Sequence, residues 1–300
     1  MNETGNLSGH FRFFAQLGTL FEARFLKPLW QRYPFQETDD WEAIGIFLVG
    51  YAFERQGAKP DYRHVATDVV KELALQRHTL SDANTVQLAW DLFRNYAGEE
   101  KLNYANNPLC PQGTSYERKT GLAVTYNKSI IEFLVNISRS GLPSNIVTFA
   151  KTGLQLDRTR AVHDAIQEIN GIGSKIASLF LRDVAVFYNV FPAEDRYLLQ
   201  PVDVWIRRAF ERLAPQKGTN SEDIDMIQRW ILEEAVREEV CAEAVNQGIW
   251  YFSSQIANSD YRMSKALDDL VYARALLKEY IEDIRGEVTA AEKLTNNRDE

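Results

Sequence analysis

Ile166-Gln-Glu-Ile-Asn170-Gly-Ile-Gly-Ser-Lys175-Ile-Ala-Ser-Leu-Phe180-Leu-Arg-Asp-Val-Ala185, followed after a loop by Gln200-Pro-Val-Asp-Val-Trp205-Ile-Arg-Arg-Ala-Phe210, decides how this chain is read. The first part predicts two helices joined by a tight hairpin, Asn170-Gly171-Ile172-Gly173. Glycine tolerates positive φ and lets a backbone approach another molecule closely. The first N–H groups of a helix have no intrahelical partner and sit at its positive end. Gly171, Gly173 and Ser174 therefore form a candidate contact for an anion such as a DNA phosphate. Lys175 falls in the first turn of the second helix, beside an apolar stripe of Ile172, Ile176, Leu179 and Phe180. Asp203 precedes another helical run, where an aspartate ordinarily caps the helix and can also carry chemistry.

Helical spacing continues on both sides. Phe11, Phe14, Leu17, Phe21, Phe25 and Leu29 predict a helix over Gly9 to Trp30. Asp40 is the expected cap of a nearly all-apolar helix from Trp41 to about Gln56. Further helices are expected over Tyr62–Arg77, from Leu80 to near Tyr96, over Tyr126–Ser138 and over Asn145–Lys151. Asp157 or Thr159 is the expected cap of the first hairpin helix. Beyond the hairpin come Ser221–Val236, Ala242–Phe252 and a long helix over Tyr261–Arg285. Residues 98–125 have no period and read as a long loop or insertion. No alternating strand pattern of useful length occurs, so the fold class is all-α.

These residues resemble the helix-hairpin-helix and Gly/Pro-Asp signature of the HhH-GPD DNA glycosylase superfamily, which includes endonuclease III and 8-oxoguanine DNA glycosylase. Ile-Asn170-Gly-Ile-Gly-Ser-Lys175 stands where that family has its hairpin, and Pro201-Val-Asp203-Val where it has its catalytic aspartate. The resemblance spans about Trp41 to Ser254 and implies two helical subdomains flanking a DNA cleft. The expected divisions are an N-terminal helical extension over 1–40, a first subdomain over 41–153, a hairpin subdomain with the C-terminal helices over 154–286, and a polar, disordered tail over 287–300. The Lys175–Asp203 interval exceeds the family's usual one, so residues 188–199 read as a further insertion.

What the resemblance implies about activity is specific. The enzyme flips a damaged or modified base out of double-stranded DNA. Asp203 stabilises the positive charge that builds on the sugar. Lys175 attacks C1′ and forms a Schiff base, giving lyase activity as well as base release. An oxidised purine like 8-oxoguanine is the first expectation; an alkylated or hypermodified base, as in foreign DNA, and a non-catalytic hairpin DNA binder are the alternatives. By the same resemblance Gln56 fills the gap left by the extruded base, and Asn246, Gln247 and Trp250 border its pocket. The plainer readings are a surface glutamine at a helix end and ordinary helix packing.

Composition sets bounds on this picture. The net charge is −8, unlike a simple DNA-coating protein. The acidity is concentrated at the C-terminal end: residues 151–217 hold ten Lys/Arg against eight Asp/Glu, residues 218–300 nine against eighteen. Arg182, Arg196, Arg207, Arg208 and Arg212 are thus candidates for a local phosphate-facing patch, Arg207 and Arg208 foremost. Two cysteines, Cys110 and Cys241, supply neither a disulfide framework nor the four ligands of an iron–sulfur cluster. The four histidines lack metal-ligand spacing. The composition thus predicts no metal, no cofactor and no membrane span and suits the cytoplasm, and the resemblance implies a monomer acting there on nucleoid DNA.

Overall fold

The computed structural model describes residues 3–53, 61–98, 107–111, 127–215 and 223–296. Gln56, and most of the 98–125 insertion, lie outside these residues. The described residues are helical without a β-strand, in keeping with the all-α expectation; the nearest thing to sheet pairing is one isolated parallel bridge between Lys128 and Ile169. Contacts divide the chain into two compact units, one of Met1–Glu22 with Val202–Glu300 and one of Ala23–Pro201. The boundary expected at residue 153 instead falls inside a helix, Ile146–Gln155, that packs within the second of these.

The Ala23–Pro201 unit contains α2 (Lys27–Gln31), α3 (Asp40–Phe47), α4 (Tyr62–Leu75), α5 (Thr85–Ala97), α6 (Ile130–Arg139), α7 (Ile146–Gln155), α8 (Thr159–Ile166) and α9 (Ser174–Tyr188). Local chemistry sets the starts of several of these helices. Asp39, not Asp40, caps α3, accepting the N–H groups of Trp41 and Glu42 at 2.8 and 3.1 Å. Ser129 and Glu132 form a reciprocal capping box on α6. Asn145 accepts from Val147 and Thr148 to start α7. The core of this unit is continuous, from Trp30, Phe47 and Tyr51 to Phe133, Phe180 and Leu181. Inside it lies a polar chain. Trp30 Nε1 donates to the Tyr51 hydroxyl at 2.9 Å, that hydroxyl donates to Asp183 Oδ2 at 3.1 Å, and Arg182 Nε donates to Asp183 Oδ1 at 2.9 Å. Burial and the neighbouring Asp183 carboxylate push the Tyr51 phenol well above its ordinary range.

The other unit contains α1 (Glu3–Phe21), α10 (Val204–Leu213), α11 (Ile224–Arg237), α12 (Ala242–Tyr251), α13 (Asp260–Asp268) and α14 (Leu270–Asn296). Helices α1 and α12 cross at two glycines. A Cβ on Gly18 would overlap the carbonyl oxygen of Ala244, and one on Gly248 the carbonyl oxygen of Phe14. Each helix thus rests on the bare backbone of the other. Aromatic rings of α1 then pack edge-on against distant partners, Phe11 against Trp230 and Phe13 against Phe252. The single C-terminal helix expected over Tyr261–Arg285 is two helices, because Asp269 is extended between α13 and α14. Helix α14 continues through Asn296, where the sequence reading placed a disordered tail from residue 287.

Candidate active site and nucleic-acid interface

At the stretch expected to be a hairpin, two helices are joined by a tight turn. Helix α8 ends at Ile166, Gly171 has φ +76°, and α9 starts at Ser174. Gly173 is the N-cap of α9 and offers no side-chain bond to its first N–H groups. A Cβ at Gly173 would meet nothing within 4 Å, so its outer side is open. Behind the turn, Lys128 N donates to Glu168 O at 2.9 Å and Asn170 N donates to Lys128 O at 2.8 Å. The Asn170 side-chain amide donates to Asn107 O at 3.0 Å, and Asn107 Oδ1 takes the Leu109 N–H at 2.9 Å. Residues 107–110, inside the stretch expected to be a long loop or insertion, therefore brace this turn. Cys110 is buried in that brace, and burial with the nearby Glu132 pushes its thiol up to about 11.

Lys175 is exposed in the first turn of α9. Ser174 is half-buried, its Oγ 3.3 Å from His163 Nε2 on α8. His163 is buried and was not singled out, because the spacing of the four histidines suggested only the absence of a metal site.

Asp203 belongs to the other unit, where it caps α10. Its Oδ1 accepts both cap bonds, from Trp205 N at 2.9 Å and Ile206 N at 3.0 Å. Oδ2 takes no bond among the described residues. Of the arginine patch, Arg182 is buried and ion-paired to Asp183 within the Ala23–Pro201 core, so it does not reach a phosphate. Arg208 pairs with Asp260 and lies 4.9 Å over the Trp205 ring, and Arg212 pairs with Asp268. Arg207 is half-buried. Arg196 lies 4.8 Å over the Phe191 ring.

Comparison with known proteins adds one relative. The chain is 26% identical over 227 residues to Uncharacterized protein MJECL21 of Methanocaldococcus jannaschii, across 69% of this chain and 49% of that protein. The chain thus spans about half the length of the curated relative it matches. No family model matches the chain, and no solved structure does.

The residues expected at a base pocket lie on α12. Asn246 and Gln247 are buried, each 1% exposed. Trp250 is half-buried and packs edge-on against Phe21 of α1, ring centroids 5.7 Å apart. These are the surroundings of helix packing. The loop after α9, expected as an insertion, is tied to the start of α8. Asp157 Oδ1 accepts the Ala193 N–H at 2.6 Å, and Thr159 Oγ1 donates to Glu194 O at 3.2 Å. Neither Asp157 nor Thr159 caps α8 as expected; both are spent holding that loop, and the N-cap position is Arg158. Among the described residues no group of three or more His, Cys, Asp or Glu is placed to hold a metal, and no helix is long and apolar enough to cross a membrane.

Proposed function

We propose that the chain is a DNA glycosylase that removes a damaged or modified base from a duplex. One observation carries this reading: a left-handed glycine at Gly171 feeds a helix whose N-terminus has no side-chain cap, with Lys175 exposed in its first turn. Such a turn presents backbone N–H groups and a positive helix end to a phosphodiester. Gly171, Gly173 and Ser174 make that contact. Lys175 is the amine that attacks the sugar, its lone pair forming a bond to C1′ as the base leaves. Asp203, whose Oδ2 stays outside the cap, is the proposed carboxylate that stabilises the positive charge developing on that sugar. The base is proposed to be an oxidised purine.

The exposure of Lys175 favours a second version of the same reading, in which water replaces the lysine and the enzyme stops at the abasic site. An alkylated or hypermodified base suits that version. A non-catalytic hairpin binder is favoured by the engagement of Asp203 as a helix cap.

Incubation with duplexes carrying single defined lesions, with and without borohydride, separates the three. The lyase predicts a trapped protein–DNA adduct that Lys175→Gln abolishes. The water-using enzyme predicts an abasic product with no adduct. The binder predicts retention of intact duplex, unchanged by Asp203→Asn.

A further inference from the structure

The hairpin holds a buried imidazole that the proposed chemistry does not use. His163, 4% exposed, projects from α8 toward the first turns of α9. Its Nε2 lies 3.3 Å from Ser174 Oγ and 3.2 Å from Ser178 Oγ. Its Nδ1 lies 3.2 Å from Gln167 Nε2 and 3.3 Å from Asp164 Oδ1.

These partners select a tautomer. An amide nitrogen only donates. Gln167 Nε2 carries two protons, and it has two acceptors, His163 Nδ1 and His163 O at 3.2 Å. Both are satisfied only if Nδ1 has no proton, which in a neutral ring puts the proton on Nε2. Asp164 pulls toward the opposite tautomer, but its side chain is 62% exposed and its attraction is screened by water. An Nε2–H donates, so Ser174 and Ser178 meet it with their oxygens. The hydroxyl proton of Ser174 is then left to point elsewhere. In the opposite tautomer, Nε2 would take a hydroxyl proton from Ser174 or Ser178, and a Ser174 so engaged would turn oxygen lone pairs toward any anion at the start of α9.

We infer that His163 is a positioning residue for the hairpin's anion contact: with Gln167 fixing its ring, it holds the Ser174 oxygen and turns the Ser174 hydroxyl proton outward to a phosphodiester. This rests on the hairpin–phosphate contact proposed above and adds how that contact is oriented. Ser178, fully buried one turn further along α9, shares the same ring proton and keeps the imidazole seated.

Two measurements on the intact chain test it. Long-range proton–nitrogen NMR of the histidine rings, assigned with His163→Phe, is expected to show His163 protonated at Nε2 and bare at Nδ1; protonation at Nδ1 overturns the inference whatever DNA does. Affinity for a plain duplex at fixed salt is the second. Ser174→Ala is expected to weaken binding about ten- to a hundredfold, the worth of one hydrogen bond to a charged group. Gln167→Met, which removes the donor without changing charge, is expected to weaken binding measurably but by no more than that, and to add nothing in the Ser174→Ala background; no loss in the single variant overturns the inference. Losses that multiply in the double variant overturn the inference, since a merely structural glutamine would act independently of the hydroxyl. Binding that ignores Ser174→Ala overturns the hairpin contact itself, a failure the ring spectrum keeps separate from a wrong tautomer.

Discussion

Tyr51 donates its hydroxyl proton to Asp183 across 132 residues of sequence, at 3.1 Å inside the Ala23–Pro201 core. Asp183 is also the counter-ion of buried Arg182. Removing one partner of a buried ion pair strands the other charge away from water, at a cost of about 3–5 kcal/mol. Asp183→Ala is therefore expected to lower unfolding free energy by roughly that amount, read by denaturant titration. Arg182→Met with Asp183→Leu removes both charges together and is expected to recover most of the loss.

The α1–α12 crossing makes its own demand. Adding one methyl at Gly18 or Gly248 drives a Cβ into a carbonyl oxygen of the facing helix, and backbone cannot swing aside as a flexible side chain does. Gly18→Ala and Gly248→Ala are each expected to destabilise by about 1–3 kcal/mol, the usual range for overpacking. A thermal melt of each variant checks this, and Gly286→Ala, inside α14 where a Cβ would meet nothing within 4 Å, is the control, expected to gain about 0.5–1 kcal/mol from helix propensity.

At the hairpin, Gly171 has φ +76°, a region where a side chain costs about 1–2 kcal/mol. Gly171→Val is expected to lower stability by that much and to weaken duplex binding by more than stability alone explains. Filter binding at a temperature well below the variant's melting midpoint, where it is fully folded, separates the two effects.

The brace beneath the hairpin titrates at high pH. Burial raises the Cys110 thiol from about 9 in a free chain to about 11, so the folded form disfavours the thiolate. Its stability contribution is complete below pH 9 and is lost as pH rises from 9 toward 11. At pH 8 the native thiol is expected to react with iodoacetamide about a hundredfold more slowly than the denatured one, since two pH units separate their thiolate populations. Mass spectrometry of the labelled peptide gives the rate, and equal rates would contradict the burial.

Some of this was legible from residue types and spacing alone. Asn170-Gly171-Ile172-Gly173 predicted its own turn because a positive φ leaves a mark on composition. Val-Asp203-Val-Trp predicted a cap for the same reason: the bond it makes is local. Asp39 and Asp40 show the limit of that logic, since neighbouring carboxylates compete for one cap and side-chain geometry decides between them. Arg182 was read as a surface cation because burial of a charge depends on Tyr51 and Asp183, which sequence periodicity does not link. The pairing of Gly18 with Ala244, and of Gly248 with Phe14, was invisible for a similar reason: nothing near either glycine announces a partner more than two hundred residues away. Thr159 and Asp157 looked like caps until the 189–199 loop supplied different partners.

The discontinuity of the Met1–Glu22 and Val202–Glu300 unit has a consequence for synthesis on the ribosome. Residues 23–201 emerge complete and can condense while translation continues, whereas α1 leaves the exit tunnel well over two hundred codons before α12, the helix it rests on. Throughout that delay Phe11, Phe13, Phe14 and Leu17 have no companion surface. The nascent chain thus carries an unsheltered apolar segment until α12 is made.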